Sequence, residues 1–187
     1  MNRKLRTDEI QRLTIDEFRR ATKIPLFVVL DNIRSRHNVG SIFRTADAFC
    51  AEGLLLCGCT ATPPHADIHK TALGAEDAVD WTYWADTHQA IEHLRQRHCT
   101  IYAIEQCQGS ITLQYPGCPL NPQNPTTPIA IVLGNEVKGV QQSVIDRCDG
   151  CIEIPQYGTK HSLNVSVAAG IIIYIISSLL GPNKNNQ

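Results

Sequence analysis

The stretch Ile129-Ala130-Ile131-Val132-Leu133, followed at once by Gly134-Asn135-Glu136-Val137-Lys138-Gly139, decides the fold of this chain. Five apolar residues in a row, closed by a loop with two glycines, are typical of a strand that a sheet buries on both faces. The glycines allow tight turns and let the backbone approach a ligand closely. The loop matches neither GxGxxG nor GxxxxGK[ST], so by itself it does not indicate phosphate or dinucleotide binding.

Similar short apolar runs occur along the chain, and segments with helical spacing separate them. We predict further strands at 26–30, 54–57, 100–104 and 151–154. We predict helices at 8–20, 39–50, 69–76, 87–97, 139–147 and 162–180, and one long loop at 108–128. Strands that alternate with helices predict an α/β fold, with a mainly parallel sheet flanked by helices. The ligands of such sheets bind at the carboxyl ends of the strands.

Length and charge indicate one globular domain without an overall basic signal. The chain has 187 residues and a formal net charge of −1, so any nucleic-acid surface has to be local. We expect a short basic helical extension at 1–24, one domain at 25–181 and a disordered tail at 182–187. The first 23 residues lack an apolar core, so we predict no secretory signal and a cytoplasmic protein.

Two features suggest other classes of protein. The uncharged segment 162–181 is short and serine-rich for a membrane span, and we predict instead a helix buried on all sides. Cys148 and Cys151 have CxxC spacing, which zinc and redox sites use, but no second CxxC accompanies them. We therefore expect buried, inert thiols and no metal, and we keep a metal-binding or redox protein as an alternative.

The loop after the first predicted strand is a local basic patch. It carries Arg34, Arg36, His37 and Arg44, with no acidic residue between Asp31 and Asp47. Arginine binds phosphate well because its planar guanidinium donates two parallel hydrogen bonds. From charge alone, a solvated basic loop is the better explanation.

The segment after the strand at 151–154 ends in a polar helix start. Pro155 ends the strand, and Ser162 is a suitable N-cap for the last helix. Asn164 and Ser166 place polar groups at the start of an otherwise apolar helix, and such groups need hydrogen-bond partners when buried.

Together these three segments resemble the SpoU–TrmH family of SPOUT RNA methyltransferases, in the same order and over 26–180. The first resembles motif one at Asn38, Gly40, Ile42, Arg44, Thr45 and Ala46. The second resembles motif two at Gly134, Glu136 and Gly139. The third resembles motif three at Ile154, Pro155, Gly158, Ser162, Leu163, Asn164, Val165 and Ser166.

The resemblance implies a C-terminal trefoil knot and S-adenosylmethionine as the cofactor, held between the knot loops. On the matching positions the expected cofactor-binding residues are Leu133, Gly134, Glu136, Gly139, Ile154, Pro155 and Leu163. The end of the strand at 103–105 is expected to form a further wall. Backbone-exposing glycines and aliphatic side chains suit an adenosyl group, so the residues agree with this implication.

The resemblance also implies the reaction, methyl transfer to a ribose 2′-hydroxyl of RNA. The expected catalytic residues are Arg44, Asn38, Glu136, Ser162 and Asn164. Arg44 matches the family's essential arginine. Because arginine is a poor base, we expect it to hold the adjacent phosphate and orient the hydroxyl, with that phosphate assisting proton removal.

Family members act as homodimers. Along the last helix, the residues at every fourth position are mostly small, which permits close helix packing within or between chains; they are Ser162, Ser166, Gly170, Tyr174 and Ser178. The expected RNA-binding residues are Arg34, Arg36, Arg44 and Lys70. The resemblance favours tRNA over rRNA, because the chain carries no added RNA-binding domain. The alternative is a non-catalytic RNA-binding dimer of the same fold, which would not bind S-adenosylmethionine.

Overall fold

A computed structural model describes residues 2–6, 9–113 and 127–181 of the chain. Its strands are β1 (Ile24–Asp31), β2 (Ala51–Cys57), β3 (Trp81–Trp84), β4 (Thr100–Ile104), β5 (Ile111–Thr112), β6 (Ile129–Leu133) and β7 (Gly150–Glu153). Its helices are α1 (Ile15–Arg20), α2 (Arg36–Ala48), α3 (Ala66–Ala72), α4 (Ala75–Ala78), α5 (Thr87–Gln96), α6 (Gln142–Ile145) and α7 (Val165–Leu180). The predicted tail at 182–187 lies outside the described residues.

The strands form one sheet in the order β3-β2-β1-β6-β4-β7-β5. Every pair of neighbouring strands is parallel, which confirms the predicted α/β class. β6 lies between β1 and β4, with Leu30 opposite Leu133 and Ala103 opposite Val132. The carboxyl ends of β1, β6, β4 and β7 therefore lie side by side. This strand order is consistent with a trefoil knot, which stays a prediction.

The sheet separates two apolar layers, and the strand alternation assigns side chains to them. On β1, Val28 and Leu30 belong to the layer that contains α2 and α7, whereas Phe27 and Val29 belong to the layer that contains α5 and α6. All four side chains are buried. Burial on both faces explains why the central strands are apolar runs rather than alternating sequences.

The N-terminal helix is shorter than predicted. The sequence pattern favoured 8–20, but α1 begins at Ile15 because Thr14 caps it and Glu17 completes a capping box. Phe18, which is only 4% exposed, packs into the same core as α2 and α7. Phe18 thus anchors the extension to the sheet domain, and the Arg19 guanidinium donates a hydrogen bond to the carbonyl of Asp77.

The predicted helix at 69–76 is two short helices. α3 ends at Ala72 because Leu73 takes a left-handed conformation, and α4 begins only after Gly74. A two-residue break at Leu73 and Gly74 therefore separates the helices. β3 was missed by the sequence pattern because it is a half-exposed edge strand and so is not an apolar run.

Two further predicted boundaries were wrong for local reasons. The helix predicted from Gly139 begins at Gln142, because Gly139 has a positive φ and closes a turn with Asn135. The last helix is capped by Asn164 rather than by Ser162; the Asn164 Oδ1 accepts the backbone N–H groups of Ser166 and Val167. Asn164 therefore has a structural role that the sequence pattern had given to Ser162.

We had predicted that the closing helix is buried on all sides, and this prediction was wrong. Val167 and Tyr174 on α7 are 50% and 52% exposed, while Ile172 and Ile176 are fully buried. An apolar face thus remains uncovered in the single chain. Within the described ranges, no helix combines the length and apolarity needed to cross a bilayer.

The segment predicted as one long loop at 108–128 contains the short strand β5, which pairs with β7 at the sheet edge. Ile111 lies opposite Ile152, and Thr112 lies opposite Glu153. Residues 114–126 of this segment lie outside the described residues.

Candidate active site

A cavity of about 1130 Å³ lies at the carboxyl ends of β4, β6 and β7. Its walls come from the segment after β4, the loop after β6 and the segment that leads from β7 into α7. Parallel neighbouring strands bring these distant segments to one edge of the sheet. The location therefore agrees with the prediction from the strand pattern.

Glu136 joins the loop after β1 to the loop after β6. Its two carboxylate oxygens accept the backbone N–H groups of Arg34 at 3.0 Å and Ser35 at 2.9 Å. One of them also accepts the side-chain amide of Asn38 at 3.1 Å. Burial alone would raise the pKa of Glu136, but the hydrogen bonds from these three donors and from its own backbone N–H outweigh burial and hold that pKa below its ordinary value. Glu136 is therefore an ionised anchor.

Asn38 continues the connection to the third segment. Its Oδ1 accepts the side-chain amide of Asn164 at 3.1 Å, and Asn164 caps α7. Glu136, Asn38 and Asn164 thus form one continuous chain of hydrogen bonds. It brings three predicted catalytic residues together, although Asn38 and Asn164 are 126 positions apart in the sequence.

The loop after β6 is a tight turn whose glycines are required by geometry. Asn135 pairs with Gly139 through two backbone hydrogen bonds, and its Oδ1 accepts the N–H groups of Val137 and Lys138. A Cβ atom at Gly134 would overlap the backbone of Gly139 and Val140. The turn closes on itself only because position 134 has no side chain.

Glu105 holds the same turn from the end of β4. It accepts the backbone N–H of Val140 at 3.0 Å and that of Gln106 at 2.9 Å. Its Oε2 occupies the space where a Cβ of Gly139 would lie. The sequence predicted only a wall near 103–105; the role of this carboxylate was missed because its partner Val140 follows a different strand, β6.

Most of the predicted cofactor-binding residues line the cavity: Leu133, Gly134, Glu136, Gly139, Ile154 and Leu163. The predicted Pro155 neighbours Ile154 but is not one of the lining residues. Ser162 and Asn164 of the predicted catalytic set also line it. The cavity combines aliphatic walls with exposed backbone, which suits a nucleoside more than a phosphate chain.

Arg44 lies on the exposed surface of α2 and does not line the cavity of its own chain. It has no hydrogen-bond or ion-pair partner within the part of the chain that the structure describes. An exposed guanidinium without a partner is available to bind an external anion. In one chain, therefore, the structure does not bring Arg44 together with the other predicted catalytic residues.

The remaining predicted RNA-binding residues, Arg34, Arg36 and Lys70, are also exposed. Lys70 forms an ion pair with Asp67 at 2.8 Å, so its charge is partly compensated. Thr60 supports the loop that carries Arg34, since its hydroxyl accepts the N–H of Ile33 and donates to the carbonyl of Leu30. The sequence gave no signal for this buried threonine.

Cys148 and Cys151 lie close together after α6 and on β7, with both thiols partly or fully buried. Burial raises the pKa of each to about 12, so both are protonated at neutral pH. The described residues contain no group of three metal-ligating side chains placed to hold an ion. The absence of a metal stays a prediction.

The sequence model of the SpoU rRNA Methylase family matches residues 25–174. The tRNA (guanosine(18)-2′-O)-methyltransferase of Thermus thermophilus is 31% identical over 169 residues, which cover 89% of this chain and 81% of that protein. The 23S rRNA (guanosine-2′-O-)-methyltransferase RlmB of Shewanella oneidensis is 29% identical, and the match covers 86% of this chain and 62% of that protein. A Bacillus subtilis TrmH-family relative is matched over 57% of its length. The chain thus spans about three fifths of these last two relatives.

Solved structures with a similar fold agree with this result. The A. aeolicus TrmH/SpoU tRNA modifying enzyme superposes with a TM-score of 0.73 at 27% identity, covering 88% of this chain and 81% of that one. An AdoMet-bound rRNA methyltransferase from Sinorhizobium meliloti gives a TM-score of 0.73 at 26% identity, covering 87% of this chain and 60% of that one.

Proposed function

Because the chain belongs to the SpoU rRNA methylase family, we propose that it transfers a methyl group from S-adenosylmethionine to a ribose 2′-hydroxyl of RNA. The observation that carries the proposal is the hydrogen-bonded chain Glu136–Asn38–Asn164, which joins the three family motifs beside one cavity. These hydrogen bonds hold the loops of the three motifs around that cavity.

The cavity fits S-adenosylmethionine in size and in chemistry. Leu133, Ile154 and Leu163 offer apolar walls to the adenine ring, and the turn from Gly134 to Gly139 offers backbone groups to the ribose. The AdoMet-bound relative of similar fold supports this assignment. When bound, the cofactor supplies an electrophilic methyl group on sulfur. Glu136, Asn38 and Asn164 keep the surrounding loops in place without themselves changing charge.

Arg44 is proposed to act across a homodimer, with Arg44 of one subunit near the cavity of the other. Its exposure and lack of a partner support this, as does the uncovered apolar face of α7, where Val167 and Tyr174 are half-exposed. A glycine on the same helix, Gly170, would meet nothing within 4 Å if it carried a Cβ, which leaves room for a second helix. Arg44 then binds the phosphate next to the target ribose and orients the 2′-hydroxyl, while Ser162 shapes the same site.

We propose tRNA as the substrate in preference to rRNA. The T. thermophilus relative, which this chain covers over 81% of its length, is a tRNA enzyme, whereas the rRNA relative is covered over 62%. Arg34, Arg36 and Lys70 would bind flanking phosphates, and this contribution should weaken with added salt. We also propose a cytoplasmic location, since the described cysteines are unpaired and thiols persist in reducing compartments.

The decisive experiment incubates the full chain with methyl-labelled S-adenosylmethionine and either total tRNA or total rRNA. Digestion to nucleosides and mass spectrometry should then reveal a 2′-O-methylated nucleoside in the tRNA sample. A methylated base would refute the reaction. Failure to bind S-adenosylmethionine in calorimetry would favour the non-catalytic RNA-binding dimer.

The arrangement across the dimer has its own test with two inactive variants, Arg44→Ala and Asn164→Ala. If Arg44 acts in the opposite subunit, a mixed dimer retains one of its two sites intact. About half of the dimers in an equal mixture are mixed, so the mixture should recover about a quarter of wild-type activity. No recovery after subunit exchange, shown by native mass spectrometry to be complete, would place Arg44 in its own subunit's site.

A further inference from the structure

One backbone carbonyl, which follows β1, holds the turn that follows β6. Asn135 lines the cavity, and its side-chain Nδ2 donates to the carbonyl oxygen of Asn32 at 2.8 Å. The Oδ1 of Asn135 is already used inside the turn, where it accepts the N–H groups of Val137 and Lys138 at 2.9 and 3.1 Å. The side chain of Asn135 therefore closes the turn and also ties the closed turn to Asn32.

Asn32 offers this carbonyl from a left-handed backbone conformation. Its φ is +58°, in a region that asparagine enters more readily than most other residues. The ladder between β1 and β6 reaches Leu30 and Leu133, and Asn32 comes two residues later. The contact with Asn135 thus extends the junction of these two strands beyond the sheet and into the loops of the site.

The side chain of Asn32 is held at both ends. Its Nδ2 donates to Oδ1 of Asp31 at 2.9 Å, and its Oδ1 accepts the backbone N–H of Cys59 at 3.1 Å. Asp31 is itself fixed, since it is only 2% exposed and the same oxygen accepts the hydroxyl of the buried Thr87 at 2.5 Å. One end of the amide faces an acceptor and the other faces a donor, so only one orientation of the amide satisfies both.

The loop after β2 leaves room for this side chain. A Cβ atom at Gly58 would lie 2.2 Å from the Oδ1 of Asn32, and Gly58 has a φ of +60°, which glycine adopts without strain. The backbone N–H of Asn32 also donates to the carbonyl of Cys57 at 3.2 Å. Asn32 is therefore joined at once to the end of β1, to the loop after β2 and to the turn after β6.

We propose that Asn32 is a positioning residue for S-adenosylmethionine, and this inference rests on the proposed function. Asn32 does not line the cavity and touches no reacting atom. It acts through Asn135 on the turn from Gly134 to Gly139, which we propose to offer backbone groups to the cofactor. Glu105 holds the far end of the same turn, so loss of the contact with Asn32 loosens the turn without releasing it.

This role has a kinetic signature. Backbone groups that bind the cofactor equally in the ground state and the transition state affect KM and leave the turnover number unchanged. The loop that carries Arg34 keeps its own hydrogen bonds to Glu136 and Thr60, so KM for RNA should not change. A residue needed only for folding would lower stability and leave both Michaelis constants as they are.

The first variant is Asn32→Gly, with His98→Gly as its matched control. Glycine tolerates the positive φ, so Asn32→Gly removes only the side-chain hydrogen bonds. His98 has the same φ of +58°, is exposed, and precedes β4, whose other end lies at the cavity. We expect Asn32→Gly to weaken binding of S-adenosylhomocysteine in calorimetry by about five- to tenfold and to raise KM for S-adenosylmethionine equally. His98→Gly should bind as the wild type does.

The second variant, Asn135→Ser, approaches the same contact from the turn. A serine hydroxyl can accept a backbone N–H two residues on, as asparagine does, but it is too short to reach the carbonyl of Asn32. Asn135→Ser should therefore weaken binding of S-adenosylhomocysteine as Asn32→Gly does. Because both changes remove one connection, the double variant should bind no more weakly than Asn135→Ser alone.

The outcomes separate this inference from the proposed function. If the wild type binds S-adenosylhomocysteine and methylates RNA, but Asn32→Gly binds it equally well, only the inference fails. Additive losses in the double variant would also overturn it, because Asn32 would then act on another part of the site. If Asn32→Gly does not fold, unchanged binding by Asn135→Ser overturns the inference by itself. If the wild type does not bind the cofactor product, the proposed function fails as well.

Discussion

Replacing Glu136 by glutamine tests the connection on which the site depends. In the wild type, one carboxylate oxygen accepts the N–H of Arg34, and the other accepts the N–H of Ser35 and the amide of Asn38. Glutamine has one acceptor oxygen and one donor group. In either orientation its NH₂ group faces at least one backbone N–H, so donor meets donor and a hydrogen bond is lost.

The size of the effect follows from these contacts. A hydrogen bond to a charged group contributes about 1.5–3 kcal/mol. Glu136 is partly exposed, so water replaces some of the lost interaction, and we expect Glu136→Gln to lower the free energy of unfolding by about 1–2 kcal/mol. For a domain of this size, each kcal/mol corresponds to about 2–4 °C in Tm.

The measurement is urea unfolding of the wild type, Glu136→Gln and the control Glu92→Gln. Glu92 is exposed on α5 and has no partner within the described ranges, so its substitution should leave the free energy of unfolding unchanged. If both variants unfold at the same urea concentration, the hydrogen bonds of Glu136 contribute nothing to stability and our reasoning is wrong.

The pH dependence gives an independent check of the same contacts. The pKa of Glu136 is lowered in the folded protein, so folding favours the ionised carboxylate. Its contribution to stability is complete above the unfolded-state pKa of about 4.3 and is lost as the pH falls through the lower folded-state pKa. The difference between wild type and Glu136→Gln should thus shrink in acid. A constant difference across this range would contradict the assignment.

Three further predictions concern single positions. Gly139→Ala should lower the free energy of unfolding by at least about 1 kcal/mol, because φ is +65° and the new Cβ meets a carboxylate oxygen of Glu105. Urea unfolding should show a smaller loss for the control Gly158→Ala, where a Cβ meets nothing within 4 Å. Equal losses would contradict the steric argument. Arg44→Lys should keep the wild-type Tm but lose about tenfold or more of the turnover, since lysine cannot donate two parallel hydrogen bonds to one phosphate; near-normal kinetics would exclude bidentate binding. Exposed Cys59 should react with iodoacetamide well before Cys148, whose pKa burial raises to about 12; peptide mass spectrometry that finds equal rates would contradict the burial of Cys148.

The apolar runs predicted most of the sheet, because a strand buried on both faces has to be apolar at every position. β4 and β6 have the predicted bounds, and β1, β2 and β7 differ only at their ends. This reasoning does not find edge strands, because they are partly exposed and need not be apolar; it missed the half-exposed β3. Helix starts were wrong where a capping side chain or a positive φ decided the boundary, as at Thr14 and Gly139.

The amino-acid sequence alone determined the α/β class, the family motifs and the residue types of the site, because periodicity and local motifs depend only on the order of neighbouring residues. The tertiary structure alone decided which of these residues touch. Glu136 reaches Asn38, and Asn38 reaches Asn164, because β1, β6 and β7 end at one edge of a parallel sheet. Glu105 gained its role in the same way, since hydrogen bonds between loops depend on strand order, which no local pattern records.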